Sequence, residues 1–246
     1  MAHIPNPLDF GIDVKRYFHE GQAGQAPGSF WSLWGGFVSA HHVYTQQFRK
    51  TPPFASSQVL IADGLIDACL YGCNLSQSQR PRSPVEEERV FVYGFPGGSN
   101  TLSKRIGRVY LKRSAPPAGA GGYSMPSWIG KIDELPEDIP RDHDEANHYE
   151  PVFVGMSGGL VMTEDGTALG ILVGRSGPMD MDFDGDLDQL FEFVELGDVW
   201  DIFHNAQPFT AASTRVRVDR VVSNHDVTIS RVYINDNLIC HGLEDE

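Results

Sequence analysis

The chain has 246 residues, 33 of them acidic and 19 basic, for a formal net charge of −14, and 41% are hydrophobic. With 14 Phe, 8 Tyr and 4 Trp, there is enough apolar material for one large β domain or two small ones, which excludes global disorder. The acidic balance excludes a broad phosphate-binding surface, and no run approaches the roughly 20 apolar residues that span a bilayer, so neither nucleic acid nor membrane is an expected partner.

Residues 1 to about 28 read as an extended lead-in that ends in Gly21-Gln-Ala-Gly-Gln-Ala-Pro-Gly28. The opening Met1-Ala-His-Ile-Pro-Asn-Pro has no basic start followed by an apolar run, so it does not read as a secretory signal, and the expected setting is cytoplasmic. Cys69, Cys73 and Cys240 are too few and too unevenly spaced for a disulfide framework. No cluster completes a zinc site around the first two, and reduced thiols fit the cytoplasmic reading.

Strand-like runs rich in aromatic and β-branched residues follow at 30–33, 37–40, 58–62, 66–71, 90–93 and 106–112, separated by Gly, Pro, Asn and Ser clusters. The basic run Lys104-Arg105, Arg108, Lys112-Arg113 reads as a solvated strand edge. Residues 114–150, with Pro-Pro, Gly-Ala-Gly-Gly and an acidic stretch, read as a long loop holding one strand near 127–132. A hairpin is expected next: 160–162, the turn Thr163-Glu-Asp-Gly166, then 168–173.

Residues 187–205 carry the one helical spacing, with Leu190, Phe193, Val194, Val199 and Phe203 on a shared stripe that Gly197 would split. Alternation returns from Thr214 and predicts two or three further strands; apolar Leu238-Ile239 so near the last residue fits a chain that continues in a longer protein. The expected organisation is an N-terminal extension over 1–28, a main domain over 29–205 and a C-terminal β segment over 206–246.

The segment Gly155-Met-Ser157-Gly-Gly159 carries the strongest chemical signal. Glycines let the backbone turn sharply and present a serine beside inward-pointing N–H groups. Gly-x-Ser-x-Gly also fits the nucleophile elbow of α/β-hydrolases, but there a helix follows the serine and the histidine comes later in the chain. Here a hairpin follows and a histidine candidate lies upstream, in Gly36-Phe-Val-Ser-Ala-His-His42-Val43. A Gly-Ser loop without chemistry is the plain alternative. A third piece is Asp63-Gly-Leu-Ile-Asp67-Ala-Cys-Leu70. An aspartate opening an apolar strand is buried and needs a hydrogen-bonded partner, and a histidine Nδ1 is a suitable one.

Together these pieces resemble the chymotrypsin-fold, trypsin-like serine proteases, most closely the short disulfide-free bacterial branch that includes the high-temperature-requirement proteases. Ser39-Ala-His-His42-Val43 is similar to the family's Thr/Ser-Ala-x-His-Val, Asp67 falls where its aspartate stands, and Gly94-Phe-Pro96 matches its inter-strand turn. Ser157-Gly-Gly, Asp165-Gly166 and Gly170-Ile171 follow with the family's spacing, and the order His42, Asp67, Ser157 is the family's order. The likeness covers about residues 30–180.

The resemblance implies an all-β fold of two packed six-stranded β-barrels, with a short C-terminal helix and extra C-terminal strands. It implies a serine endopeptidase acting on protein or peptide substrates, with catalytic His42, Asp67 and Ser157 and an oxyanion hole from the N–H groups of Gly155 and Ser157. No cofactor is required by that chemistry. The substrate pocket would be lined by Pro151, Val173, Gly174 and Arg175.

Three departures sharpen the expectation. Met156 stands where pancreatic-type members carry an aspartate that pairs with a newly cut N-terminus, so activation by such insertion is not expected. No cysteine follows His42. Pro151 replaces the acid that selects basic side chains, so small or apolar residues are expected before the cleaved bond, with acidic ones drawn by Arg175 second. The alternative from another class is a catalytically idle protease-fold module used for binding or scaffolding. Separately, Asp180, Asp182, Asp184 and Asp186 match the opening of a calcium loop, but the twelfth place is Phe191 and an acidic surface loop is the simpler reading.

Overall fold

The computed structural model describes residues 4–17, 28–47, 59–61, 65–96, 101–114, 126–133, 156–175, 188–205, 216–223, 228–234 and 237–244. The chain divides into two compact units, Met1–His204 and Asn205–Glu246.

In the first unit, five strands form an antiparallel sheet: β1 (Val14–Tyr17), β2 (Gly28–Leu33), β3 (Gly36–Ser39), β4 (Val59–Ile61) and β5 (Cys69–Tyr71), in the order β1-β2-β3-β5-β4. Six more close into an antiparallel barrel: β6 (Arg89–Gly94), β7 (Ser103–Arg113), β8 (Ser127–Ile132), β9 (Leu160–Met162), β10 (Ala168–Arg175) and β11 (Leu190–Glu195). The architecture is thus all-β, with one closed six-stranded barrel and, among the described residues, a five-stranded sheet where the resemblance implied a second barrel.

The period-2 side-chain pattern builds two cores from the same strands. Val90, Val92, Val161, Leu172, Phe191 and Phe193 point into the barrel, joined by Val109, Trp128, Met156 and Leu169. Their alternate neighbours Phe91, Tyr93, Leu160, Met162, Ile171 and Val194 face outward and pack with Phe30, Trp31, Val38, Val43, Ile66 and Leu70 of the sheet. Sheet and barrel therefore share a continuous apolar seam.

Three expectations change. Residues 190–195 form β11, paired with both β8 and β10, and helix α2 starts only at Leu196 and runs to Asn205. Phe191 and Phe193 are fully buried inside the barrel, so closing the ladder outweighs the helical spacing. In α2, Leu196, Val199 and Phe203 form the buried stripe. The lead-in is not extended throughout: a 3-10 turn at Pro7–Phe10, capped by the Asn6 side chain, precedes β1, which pairs with β2. The basic run lies on β7, which is paired on both sides and is no edge. Arg105 is buried, and Arg108, Lys112 and Arg113 face Asp133, Glu195 with Asp198, and Glu192.

Glu195, at the junction of β11 and α2, is completely buried. It accepts hydrogen bonds from Ser83 Oγ (2.5 Å), Trp128 Nε1 (2.9 Å) and Lys112 Nζ (3.1 Å). Burial alone would raise its carboxyl, but these donors outweigh it and hold the group below the ordinary glutamate range.

The second unit is an antiparallel meander of β12 (Val216–Ser223), β13 (Thr228–Ile234) and β14 (Asn237–Glu244). Among the described residues no helix is long and apolar enough to cross a membrane.

Candidate active site

Strand β3 ends at Ser39, and Ala40 with Val43, both buried, fixes the start of helix α1 (His41–Gln47). β3 pairs antiparallel with β5 through Ser39↔Cys69. Continued two residues further, that register sets Asp67 opposite the His41–His42 step. Asp67 is 6% exposed, and both of its oxygens are engaged by one residue: Oδ1 accepts from the His42 backbone N–H at 2.9 Å, and Oδ2 lies 2.6 Å from His42 Nδ1. An ionised carboxylate only accepts, so Nδ1 carries the proton of the neutral ring and the lone pair falls on Nε2. The His42 side chain keeps a quarter of its surface in solvent, whereas His41 is buried. Asp63 lies outside the described residues.

Ser157 sits in a tight turn closed by Gly159 N–H donating to Met156 O at 2.8 Å, with Gly158 at φ +76°. The barrel side of the turn is held by strand β10: Gly158 N–H donates to Leu172 O (2.8 Å), and Leu172 N–H donates to Gly159 O (2.7 Å). The sheet side is held by β2: Ser29 N–H donates to Ser157 O (3.4 Å), and Trp31 Nε1–H donates to Gly158 O (3.0 Å). A Cβ on Gly158 would meet Ser39 Oγ and Ser29 O, with Ala40 N 3.5 Å away. The turn is therefore seated against the end of β3, three residues before His42. Ser39 in turn donates to Ser29 O at 2.7 Å, which locks that seat.

Met156 is fully buried, and a Cβ on Gly94 would lie 3.1–3.2 Å from its atoms, so glycine at the end of β6 makes room for the serine turn. In β10 the pairing with β11 slips between Leu172 and Gly174. Val173 is half-buried and packs against the seam core, Gly174 faces open space, and Arg175 closes the strand. Gly155, Pro151 and the acidic loop Asp180, Asp182, Asp184 and Asp186 lie outside the described residues.

Cys69 is buried with its thiol pushed up by burial and by Asp67 nearby; that of Cys73 is pushed up to about 11, mainly by burial. Neither is a ready nucleophile at neutral pH. The supporting residues Ser29 and Trp31 are what sequence reasoning passed over, and Ser39 entered it only as part of the His42 motif. The available signal was polar groups placed in otherwise buried strand positions.

No protein-family model and no curated protein matches the sequence. Among solved structures, the chain is similar to an inactive form of Rv3671c from M. tuberculosis, at 14% identity and a TM-score of 0.49, covering 80% of this chain and 87% of that one. It is also similar to the protease domain of MamO from Magnetospirillum magneticum, at 15% identity and a TM-score of 0.43, covering 80% and 95%. A third likeness is to the tobacco etch virus protease, at 14% identity and a TM-score of 0.43, covering 85% and 84%.

Proposed function

We propose that this chain is a serine endopeptidase, with Ser157 as nucleophile, His42 as general base and Asp67 as the residue that orients it. The observation that carries the reading is the doubly bonded His42–Asp67 pair beside a glycine-flanked serine turn seated on the same strand end. Asp67 fixes the tautomer that leaves Nε2 basic and stabilises the imidazolium once it forms.

In the reaction, Ser157 Oγ adds to the peptide carbonyl carbon as its proton passes to His42 Nε2. The backbone N–H groups of Gly155 and Ser157 donate to the oxyanion, a contribution commonly worth ~3 kcal/mol per donor. The C–N bond then breaks and the amine leaves with the proton from His42. Water, deprotonated by the same imidazole, adds to the acyl carbon, and the imidazolium returns the proton to Ser157 Oγ as the ester C–O bond breaks. Nothing in this cycle calls on a metal or an organic cofactor.

A fluorophosphonate probe tests the assignment. The chain should be labelled covalently, and Ser157→Ala should lose both labelling and peptide hydrolysis while keeping its fold by circular dichroism. Retained turnover in Ser157→Ala, or a wild-type chain that takes no label, refutes it. Matched Ala, Leu, Glu and Arg peptides then read the side-chain preference, with small or apolar residues expected first.

A further inference from the structure

We propose that Trp31 is a positioning residue for the reaction: its indole N–H holds the Ser157 turn in register with His42 across the seam between sheet and barrel. The proposal rests on the reading of Ser157 as nucleophile.

His42 and Asp67 stand just beyond the ends of β3 and β5 of the sheet, whereas the turn carrying Ser157 is hydrogen-bonded to β10 of the barrel. A nucleophile and its base that ride on different sheets need a tie at the level of single atoms, because a small offset between them is costly in rate. Two polar contacts join the turn to β2, and of these the backbone bond from Ser29 is the longer, at 3.4 Å against 3.0 Å for the indole. Of the two, only the indole is a side chain that substitution can alter without touching the main chain.

The path from there to the base is short and stiff. Trp31 is the register partner of Val38 on β3, and β3 runs directly into His41–His42. The indole has no solvent exposure and meets Tyr93 of β6 edge to face, ring centroids 6.5 Å apart at 64°. Tyr93 is itself tied down, since its hydroxyl donates to Pro5 O. The ring therefore cannot swing away from Gly158. Packing alone would accept Phe or Leu at such a position. A buried tryptophan brings an N–H that must find an acceptor, and here it finds the carbonyl immediately after the serine residue, with Ser29 Oγ 3.3 Å away as a second contact.

The test replaces Trp31 in the full chain by β-(3-benzothienyl)alanine, which keeps the bicyclic shape and lacks the N–H, with Trp31→Phe as the genetically encoded companion. The readouts are the fluorophosphonate labelling rate of Ser157, kcat and KM on a peptide, the pH profile and the melting temperature. With the bicycle retained, labelling rate and kcat should both fall about tenfold, against the ~10²-fold typical of a 1 Å misplacement. KM should stay within about twofold, and the pH midpoint should not move, because the His42–Asp67 pair is untouched. Equal labelling of the isostere and the unmodified chain overturns the proposal, as does a loss confined to KM or a shifted pH midpoint. An unmodified chain that takes no label overturns the nucleophile assignment, and this proposal falls with it.

Discussion

Replacing Gly158 with alanine probes the seat of the serine turn directly. Gly158 adopts φ +76°, a left-handed conformation that costs an L-residue roughly 1–2 kcal/mol. Its new Cβ would also stand 2.6 Å from the backbone oxygen of Ser29, about 0.8 Å inside the 3.4 Å of ordinary contact, and closer still to Ser39 Oγ. Ser39 can rotate away only by giving up its 2.7 Å bond to Ser29 O, and the backbone oxygen has no such freedom. The turn must therefore retreat from β2 and β3 by a large fraction of an ångström, stretching the Trp31 bond and moving Ser157 away from His42. A displacement of that size predicts a loss of acylation rate on the order of 10²-fold. Stopped-flow labelling with a fluorophosphonate, beside a thermal melt, measures both parts. The double variant Gly158→Ala/Ser39→Ala should recover little, because the Ser29 carbonyl remains. Labelling of Gly158→Ala within threefold of wild type would refute the placement of this turn against β3.

Three further expectations follow from the structure. Asp67→Asn should lower kcat on the order of 10⁴-fold at neutral pH, because an amide neither fixes the tautomer nor balances the imidazolium; His42→Ala should be nearly inactive and His41→Ala should keep most of its rate, and the reverse pair of results in a peptide assay would reassign the base. Glu195→Gln should lower stability by about 2 kcal/mol through loss of charge-assisted hydrogen bonds, or ~4–8 °C in Tm, with Lys112 contributing least because 39% of its side chain is exposed. Since the folded carboxyl is held below its ordinary range, its stabilisation is present above the unfolded value of about 4.3 and is lost as pH falls through the folded value, so melts at pH 7 and pH 3 should show the wild-type advantage shrinking in acid; an advantage that persists or grows in acid would contradict the network.

What could be read from sequence divides along the range of the interactions involved. Strands whose identity rests on local composition and neighbouring turn signals, β6, β8 and β9 among them, follow from their own residues. The His42–Asp67 contact is nearly as local: two neighbouring strands in one sheet, with the register Ser39↔Cys69, bring those residues together. Residues 190–195 mislead because Leu190, Phe193 and Val194 fit a helical stripe as well as a buried strand, and only the barrel, which needs a partner between β8 and β10, decides between them. The cations of β7 mislead for a related reason. The partners of Lys112 and Arg113, namely Glu195 with Asp198 and Glu192, lie some 80 residues away in the chain, so nothing near these two shows that the charge is met. Trp31 is the extreme case, with its acceptor Gly158 separated by 127 residues.

The way the serine turn is anchored bears on how its geometry forms. Met156, the residue just before Ser157, is buried among Val90, Val92, Val161, Leu172 and Phe193 and packs on Gly94. A thioether offers an ammonium group no charge to pair with, and an unpaired charge in such a setting costs many kcal/mol. The turn therefore takes its anchors from elsewhere: Met156 from the barrel core, Leu172 from β10, Ser29 and Trp31 from β2. These strands also close the barrel and build the seam, so among the described residues the turn is anchored by the same packing that holds the unit together. An anchor made of packing and neutral hydrogen bonds carries no titratable group and is little screened by salt. The shape of the turn persists for as long as sheet and barrel stay packed.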